Sequence, residues 1–252
     1  MKKYKALMLD LDGTTIPNRF DGMPSQKVTE AIQKAQQSIH IGIATSRCYP
    51  IAEKIINHLG LTDLSIFSGG ARICDLSTME YVYKRPLEDL AASQVCEVLS
   101  SFNLPFFTCI NDIDRLYAKE QKISECFMIY ALEVDPLIVE EVINKLAPIT
   151  TLSVHRVPDW KANKISLTIT HASATKQHGI VEVAKRLGIE TSEMIGVGDG
   201  YNDFPLLMAC GLKIAMGNAV PELKEIADYI APTVEDDGVA WVIEKFVLTP
   251  TP

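Results

Sequence analysis

The chain has 252 residues, 47% hydrophobic and 22% charged, with 24 Lys plus Arg against 32 Asp plus Glu and a net charge of −8. That is enough apolar material for a sizeable core, in one large domain or two modest ones. With no basic run on an acidic chain, nucleic acid and anionic membrane are excluded as expected partners; an anionic substrate would need a local positive site, which a bound metal can supply.

Ala6-Leu7-Met8-Leu9 is a continuous apolar run, the pattern of a strand buried on both faces. Over 25–38, Val28, Ala31, Ile32 and Ala35 recur at helical spacing behind Ser25 as N-cap. Ile39 to Ala44 reads as a second strand. Pro50 suits the first turn of a helix, Ile51, Ile55, Ile56 and Leu59 form its apolar face, and Gly60 stops it. Leu64 to Phe67 is a third strand, closed by Ser68-Gly69-Gly70. This β-α-β-α-β alternation predicts a parallel sheet with helices on both faces.

The pattern then changes. Residues 71–85 read as a hairpin with Tyr81-Val82-Tyr83 as its return strand. A helix over about 87–101 follows, with strands at Phe106 to Cys109, Leu116 to Ala118 and Cys126 to Leu132. A helix from Pro136 to Leu146 and strands at Leu152 to Val157 and Ile165 to Thr170 complete a largely antiparallel α+β block, read as an insertion over 86–170. The opening pattern returns at Lys176, with a helix carrying Ile180, Val181, Ala184 and Leu187 and ending at Gly188. Strands follow at Met194 to Val197, Leu212 to Ala215 and Tyr229-Ile230, with helices from Asp203 to Cys210 and from Gly238 to Phe246. The fold class is therefore α/β: a discontinuous Rossmann-like core, residues 1–85 and 171–252, carrying an inserted α+β cap.

The six cysteines, Cys48, Cys74, Cys96, Cys109, Cys126 and Cys210, form no CxxC pair. They read as small buried apolar residues of a reducing compartment, not as a disulfide framework or a zinc site. Met1-Lys2-Lys3 has the charge of a leader, but the apolar stretch behind it is interrupted at Asp10 and lacks a small-residue cleavage pattern. No run reaches membrane-spanning length. A cytoplasmic protein is expected.

In open parallel sheets, ligands bind at the carboxyl ends of the strands. Asp10, Thr45 and Asp199 each lie just past a predicted core strand, so three distant segments converge on one crevice. Asp10-Leu11-Asp12-Gly13-Thr14-Thr15 and Gly198-Asp199-Gly200-Tyr201-Asn202-Asp203 bring four carboxylates there. Such neighbours are costly unless a divalent cation and a phosphate lie among them. Each segment alone has a plainer reading: a solvated acidic pair, a turn, a strand-end threonine. The second cluster lacks the ligand spacing and terminal Glu of an EF-hand. Lys176 alone would be a solvated lysine at a helix start, a mildly unfavourable place for a cation unless an anion is bound beside it.

Together, Asp10-Leu11-Asp12-Gly13-Thr14, Thr45 in Ala44-Thr45-Ser46-Arg47, Lys176, and Gly198-Asp199-Gly200-Tyr201-Asn202-Asp203 resemble, in order, the four motifs of the haloacid dehalogenase-like (HAD) phosphohydrolase superfamily. The insertion resembles the type IIB cap of its Cof-type branch. Ala215-Met216-Gly217-Asn218-Ala219 and Glu235-Asp236-Asp237-Gly238-Val239-Ala240 are further matches. The resemblance implies a Mg²⁺-dependent phosphatase acting on a small phosphorylated metabolite, a sugar phosphate or a cofactor-like phosphate. Asp10 would be the nucleophile that forms an aspartyl-phosphate, and Asp12 the general acid and base. Asp10, the backbone carbonyl of Asp12 and Asp199 would hold the metal. Thr45, Ser46, Arg47, Lys176 and Asn202 would bind the phosphate or substrate, while Asp203 would orient Lys176 or a metal-bound water.

A phosphomutase using the same intermediate is the alternative, and a non-catalytic phospholigand sensor ranks lower because Asp10 and Asp199 are both present. Ser46 stands where the branch usually has Gly, Gly69 where it has Asn, and Gln177 where it has Gly. His155, Arg156, Asp159, Trp160 and Lys164 cluster before the last cap strand, either facing the crevice or forming a polar strand edge. The sequence leaves the oligomeric state open.

Overall fold

The computed structural model describes residues 4–111, 113–119, 121–159, 161 and 163–249; Met1 to Lys3 and Trp160 lie outside them. Strand β1 (Ala6–Leu9) is buried at all four positions. Helix α1 (Gln26–Ala35) starts where Ser25 Oγ accepts from the Val28 N–H at 3.1 Å, and it buries Val28, Ala31, Ile32 and Ala35. Strand β2 (His40–Ile43) and helix α2 (Tyr49–Leu59) follow, with Pro50 in the first turn of α2.

Strand β3 (Leu64–Phe67) forms where expected but does not extend the parallel ladder. It pairs antiparallel with β4 (Arg72–Asp75), which pairs with β5 (Glu80–Lys84) to make a separate three-stranded sheet. The β2–β3 seam has one parallel bridge, Ala44 to Ile66. Along it, side chains replace backbone acceptors: Asp63 Oδ2 accepts from the Ile41 N–H at 2.9 Å and Ser65 Oγ from the Ile43 N–H at 3.1 Å. An apolar run shows that a strand is buried, but not whether its neighbour supplies carbonyls or side chains.

The insertion is a cap domain built from α3 (Asp89–Ser101), β6 (Phe106–Ile110), β7 (Ile113–Leu116), β8 (Cys126–Val134), α4 (Pro136–Leu146), β9 (Leu152–Pro158) and β10 (Ile165–His171). Its antiparallel sheet has the order β7-β6-β8-β10-β9. Strand β7 lies earlier than the expected Leu116 to Ala118. Asn111, at φ +48°, turns the chain back at once, so Ile110 faces Ile113 and the register ends with Phe107 opposite Leu116.

The core resumes with α5 (Lys176–Leu187), β11 (Met194–Gly198), α6 (Phe204–Ala209), β12 (Leu212–Ala215), α7 (Pro221–Ile226), β13 (Tyr229–Ile230) and α8 (Gly238–Ile243). Helix α7 has no counterpart in the sequence reading; it is a single short segment that buries only Leu223, too little for a periodic signal. The core sheet runs β13-β12-β11-β1-β2, parallel throughout. Strand β1 is central, and the ends of β1, β2 and β11 open on the same side.

Two hydrophobic clusters underlie the two parts. One draws on Tyr4 to Leu76 and Ile180 to Val247, the other on Leu87 to Ile169. They meet at a narrow seam. Arg85 Nε donates to Ser173 Oγ at 3.1 Å, tying the two crossing strands of chain together. The buried Arg72 guanidinium lies 3.6 Å from the centre of the Phe127 ring of β8, a close cation–π contact. All six cysteines are buried and none is in a disulfide. Cys48 of the core and Cys109 of the cap nevertheless pack together with Met128. The hydrogen bond that the Cys48 thiol makes to Cys109, and burial, hold that thiol well above its ordinary range, so the pair behaves as packing. No helix among the described residues is long and apolar enough to cross a membrane.

Ser65 is fully buried, so Ser65→Ala would leave the Ile43 N–H without an acceptor. Its expected cost is about 1–3 kcal/mol of unfolding free energy, measured by urea denaturation; a loss below about 0.5 kcal/mol would mean that the seam does not depend on this bond.

Candidate active site

Asp10 begins where β1 ends. Its N–H donates to Val197 O of β11 at 3.0 Å, and its carbonyl accepts from Thr15 Oγ1 at 2.6 Å, so the backbone beneath the side chain is fixed from two directions. Gly13 sits at φ +81°, and a Cβ there would stand 2.3 Å from Asp199 Oδ2. Glycine is therefore required both by conformation and by the approach of Asp199. Thr14 Oγ1 donates to Asp199 Oδ1 at 2.9 Å, a contact that motif reading gave no role.

Lys176 opens α5, where the Thr175 side chain caps the helix. Its ammonium is 2% exposed and bridges two carboxylates, donating to Asp10 Oδ1 at 2.5 Å and to Asp203 Oδ1 at 2.6 Å. Burial alone would lower the lysine pKa; Asp10 and Asp203 outweigh it and hold the group well above its ordinary value. The second oxygen of Asp203 accepts from the N–H groups of Asp199 and Gly200, both at 2.9 Å. Asp203 thus fixes the 199–203 turn with one oxygen and Lys176 with the other. Asp10 Oδ2 has no protein donor among the described residues.

Thr45 lies past β2 and is buried; its own N–H is spent on Ile66 O at 3.0 Å, and its Oγ1 accepts from the Arg47 N–H at 3.1 Å. The hydroxyl proton is left to donate outward. Asn202 Nδ2 donates to Ser46 Oγ at 3.4 Å, joining the second and fourth motifs. Arg47 is buried and grips Asp12 with two parallel bonds, Nε to Oδ2 at 2.8 Å and Nη2 to Oδ1 at 2.6 Å. It also donates to the carbonyls of Arg19 and Phe20, each at 3.2 Å. Its contacts are therefore with the protein, in a bidentate geometry that fixes the Asp12 carboxylate. Of the departures from the branch pattern, Gly69 has φ +67°, a conformation that Asn also tolerates, and Gln177 points to solvent.

Asp10, Asp12, Thr45, Arg47, Asp199 and Asn202 lie on the floor of a cavity of about 450 Å³ whose roof is the cap sheet, with Lys176 and Asp203 buried beneath. Asn18 and Phe20 line it from the loop after the first motif, where no pattern marked them. The suspected cap cluster lies mostly elsewhere. Strand β9 is a sheet edge; Arg156 pairs with Glu140 and Lys164 with Asp135 at 3.1 Å. Asp159 accepts from the Glu133 N–H at 2.9 Å, the Lys161 N–H at 2.8 Å and Ser166 Oγ at 2.6 Å, so it organises a turn. Burial and the Lys176 charge lower the His155 pKa, and its Nε2 is 2.9 Å from Ser153 Oγ. The cavity residues come instead from alternate positions of β8, Met128, Tyr130 and Leu132. Their neighbours Ile129 and Ala131 are buried on the opposite side in the cap's own hydrophobic cluster, while Phe127, beside a register shift, packs on Ala71 and Ala174 at the core seam.

One oxygen each from Asp10, Asp199 and Asp203 fall within 4.8 Å of one another. Asp203 is already saturated by Lys176 and two amides, which leaves Asp10 and Asp199 as the available hard oxygen donors. Burial, then Asp203, raise both their pKa values, Asp10 well above the carboxylate range and Asp199 to about 7. Three buried carboxylates against one ammonium leave an excess equal to the charge of one divalent cation. The donor set, the excess charge and the close passage beside Gly13 all fit Mg²⁺.

A family model described as haloacid dehalogenase-like hydrolase matches residues 7–159 and 114–243. The chain is 26% identical over 247 residues to the 5-amino-6-(5-phospho-D-ribitylamino)uracil phosphatase YcsE of Bacillus subtilis, spanning 97% of this chain and 96% of that protein. It is 25% identical over 268 residues to the stress response protein YhaX of the same organism, spanning 95% and 92%. Among solved structures, BT1666 of Bacteroides thetaiotaomicron superposes with a TM-score of 0.81 at 23% identity, over 98% of this chain and 96% of that one. The subclass IIB sugar phosphatase BT4131 gives 0.81 at 22%, over 97% and 100%.

A carboxylate raised in the folded state stabilises the fold fully below its unfolded pKa, and that contribution is lost as pH rises through the folded value, here about 7 for Asp199. Mg²⁺ should offset the loss by pairing with the ionised form. Thermal melts from pH 5 to 8 should therefore show a Mg²⁺-induced rise in Tm that grows as pH passes 7 and shrinks in Asp199→Asn. A rise independent of pH would contradict the assignment.

Proposed function

Because the chain belongs to the haloacid dehalogenase-like hydrolase family, we propose that it is a Mg²⁺-dependent phosphatase of small phosphomonoesters such as sugar or cofactor-like phosphates, with Asp10 as nucleophile. The observation that carries this reading is the buried bridge from Asp10 through Lys176 to Asp203, with Asp199 beside it and a cavity above. We assign residues 86–170 to a type IIB cap of the Cof-type branch, with 1–85 and 171–252 as the catalytic core. The single antiparallel sheet with both helices on one side supports that assignment.

When bound by Asp10, the backbone carbonyl of Asp12 and Asp199, Mg²⁺ supplies the charge neutralisation that lets a carboxylate face a phosphate dianion. Asp10 Oδ2, which accepts from no donor among the described residues, attacks phosphorus as the bond to the leaving oxygen breaks, giving an aspartyl-phosphate. Asp12 protonates the departing alkoxide. It then takes a proton from the water that attacks the phosphorus of the intermediate, which releases inorganic phosphate and restores Asp10. Arg47 orients the ionised Asp12 for taking the water proton, and its grip on the oxygen that carries the proton loosens when Asp12 acts as the acid. The Thr45 hydroxyl and the Ser46 N–H donate to phosphoryl oxygens, Asn202 lies beside them, and Lys176 offsets charge on the nucleophile side. Asp203 keeps Lys176 and the 199–203 turn in place.

Asp10→Asn should abolish Mg²⁺-dependent release of phosphate from p-nitrophenyl phosphate while circular dichroism stays unchanged; near-normal turnover would sink the mechanism. Arg47→Ala should lower kcat roughly 10- to 100-fold, part of what a positioned acid–base contributes. An unchanged kcat with only KM raised would instead assign Arg47 to substrate binding.

A further inference from the structure

The face of the cap sheet that roofs the cavity has a definite composition. Pairing sets Phe107 opposite Tyr130 and Tyr130 opposite Thr168, so these three form one cross-strand row on the cavity side. The Phe107 and Tyr130 rings are nearly parallel, with centroids 5.1 Å apart and planes 10° from each other. Met128, Leu132 and Val157 continue the roof around them.

Part of its polar surface is committed within the cap, while the Thr168 hydroxyl has no hydrogen bond among the described residues. The Tyr130 hydroxyl donates to Asp114 Oδ2, and the Ser166 hydroxyl donates to Asp159 Oδ2 at 2.6 Å. The other Asp114 oxygen is out of reach of solvent. Among the described lining residues, the roof carries no Lys, Arg, Asn or Gln. The cavity's cation and amides (Arg47, Asn18, Asn202) are on the floor, near the carboxylates. Hydroxyls of a polyol pressed against this roof would give up water for few partners beyond the Thr168 hydroxyl, whereas a flat apolar ring would gain apolar contact with the stacked Phe107–Tyr130 pair, Met128 and Leu132.

We infer that the alcohol released by this enzyme carries a flat, mainly apolar ring rather than a polyol chain or sugar, and that the Phe107–Tyr130 pair is the platform on which the ring rests. The inference rests on the phosphatase reading and, within its small phosphomonoesters, sets sugar phosphates aside in favour of aryl-bearing ones. The cavity volume admits one such ring beside a phosphate.

Benzyl phosphate and glucose 6-phosphate are both esters of primary alcohols, so comparing them isolates the body from the leaving oxygen. With Mg²⁺, kcat/KM for benzyl phosphate should exceed that for glucose 6-phosphate by about 100-fold, the order that burying unpaired hydroxyls imposes. Phe107→Leu keeps apolar volume but removes one aromatic face, and it should cut that ratio about tenfold, chiefly through KM for benzyl phosphate. Equal or better turnover of the hexose ester overturns the inference and leaves the phosphatase reading intact. An unchanged ratio in Phe107→Leu overturns the platform role. Release of phosphate from neither ester above the Asp10→Asn background overturns the phosphatase reading and this inference with it.

Discussion

The site depends on one ammonium group. Lys176 is buried between Asp10 and Asp203, and a lysine in that setting survives as a cation only because both carboxylates are within hydrogen-bond reach. The converse also holds. Asp10 and Asp203 come from the two ends of the chain, and without the lysine the like charges on β1 and β11 would repel across a low-dielectric gap. The bridge therefore ties the N-terminal and C-terminal halves of the core together at the point where chemistry is proposed. It still leaves excess negative charge, because Asp199 is present as well. That residual charge explains why the arrangement favours a divalent cation and, after burial, helps raise the Asp199 pKa to about 7.

Around this bridge the supporting bonds divide the four carboxylates by environment. Asp203 accepts three hydrogen bonds and is fully buried, so it is a fixed part. Asp12 is gripped by Arg47 at the edge of the cavity. Among the described residues, Asp10 keeps one oxygen without a donor, and the Asp199 carboxylate accepts from Thr14. Similar side chains thus carry different protonation tendencies and different freedom, and the proposed division into nucleophile, proton carrier, metal ligand and support follows those environments. The cap adds little charge to the cavity. It adds shape and apolar surface, and the core–cap seam at Arg72 with Phe127 and at Cys48 with Cys109 holds that surface over the floor.

Much of this was legible in the sequence because the signals were local. The apolar run of β1, the Ser25 cap and the acidic motifs at strand ends each depend on neighbours a few residues away. The exceptions are long-range. Nothing in Leu64 to Phe67 indicates that Ser65 and Asp63 would stand in for a strand's carbonyls, so β3 was read as a member of the parallel sheet. Arg47 has a motif position but no local clue that its guanidinium turns to Asp12. The polar cluster at His155 to Lys164 drew attention by charge, yet an edge strand uses charge for solvation and turns. The cavity roof was hidden in Cys126 to Val134, where apolar residues fill both faces. That pattern is itself informative: a strand apolar on both sides has something to cover on each, and here the second side covers the proposed substrate.

The most direct test is a crystal structure grown with Mn²⁺ in place of Mg²⁺ and read by anomalous scattering. The account predicts one peak bound by Asp10 and Asp199 carboxylate oxygens and the Asp12 carbonyl, with Lys176 still bridging Asp10 to Asp203. A peak ligated by Asp203 with Lys176 displaced, or no peak among these carboxylates, would contradict it.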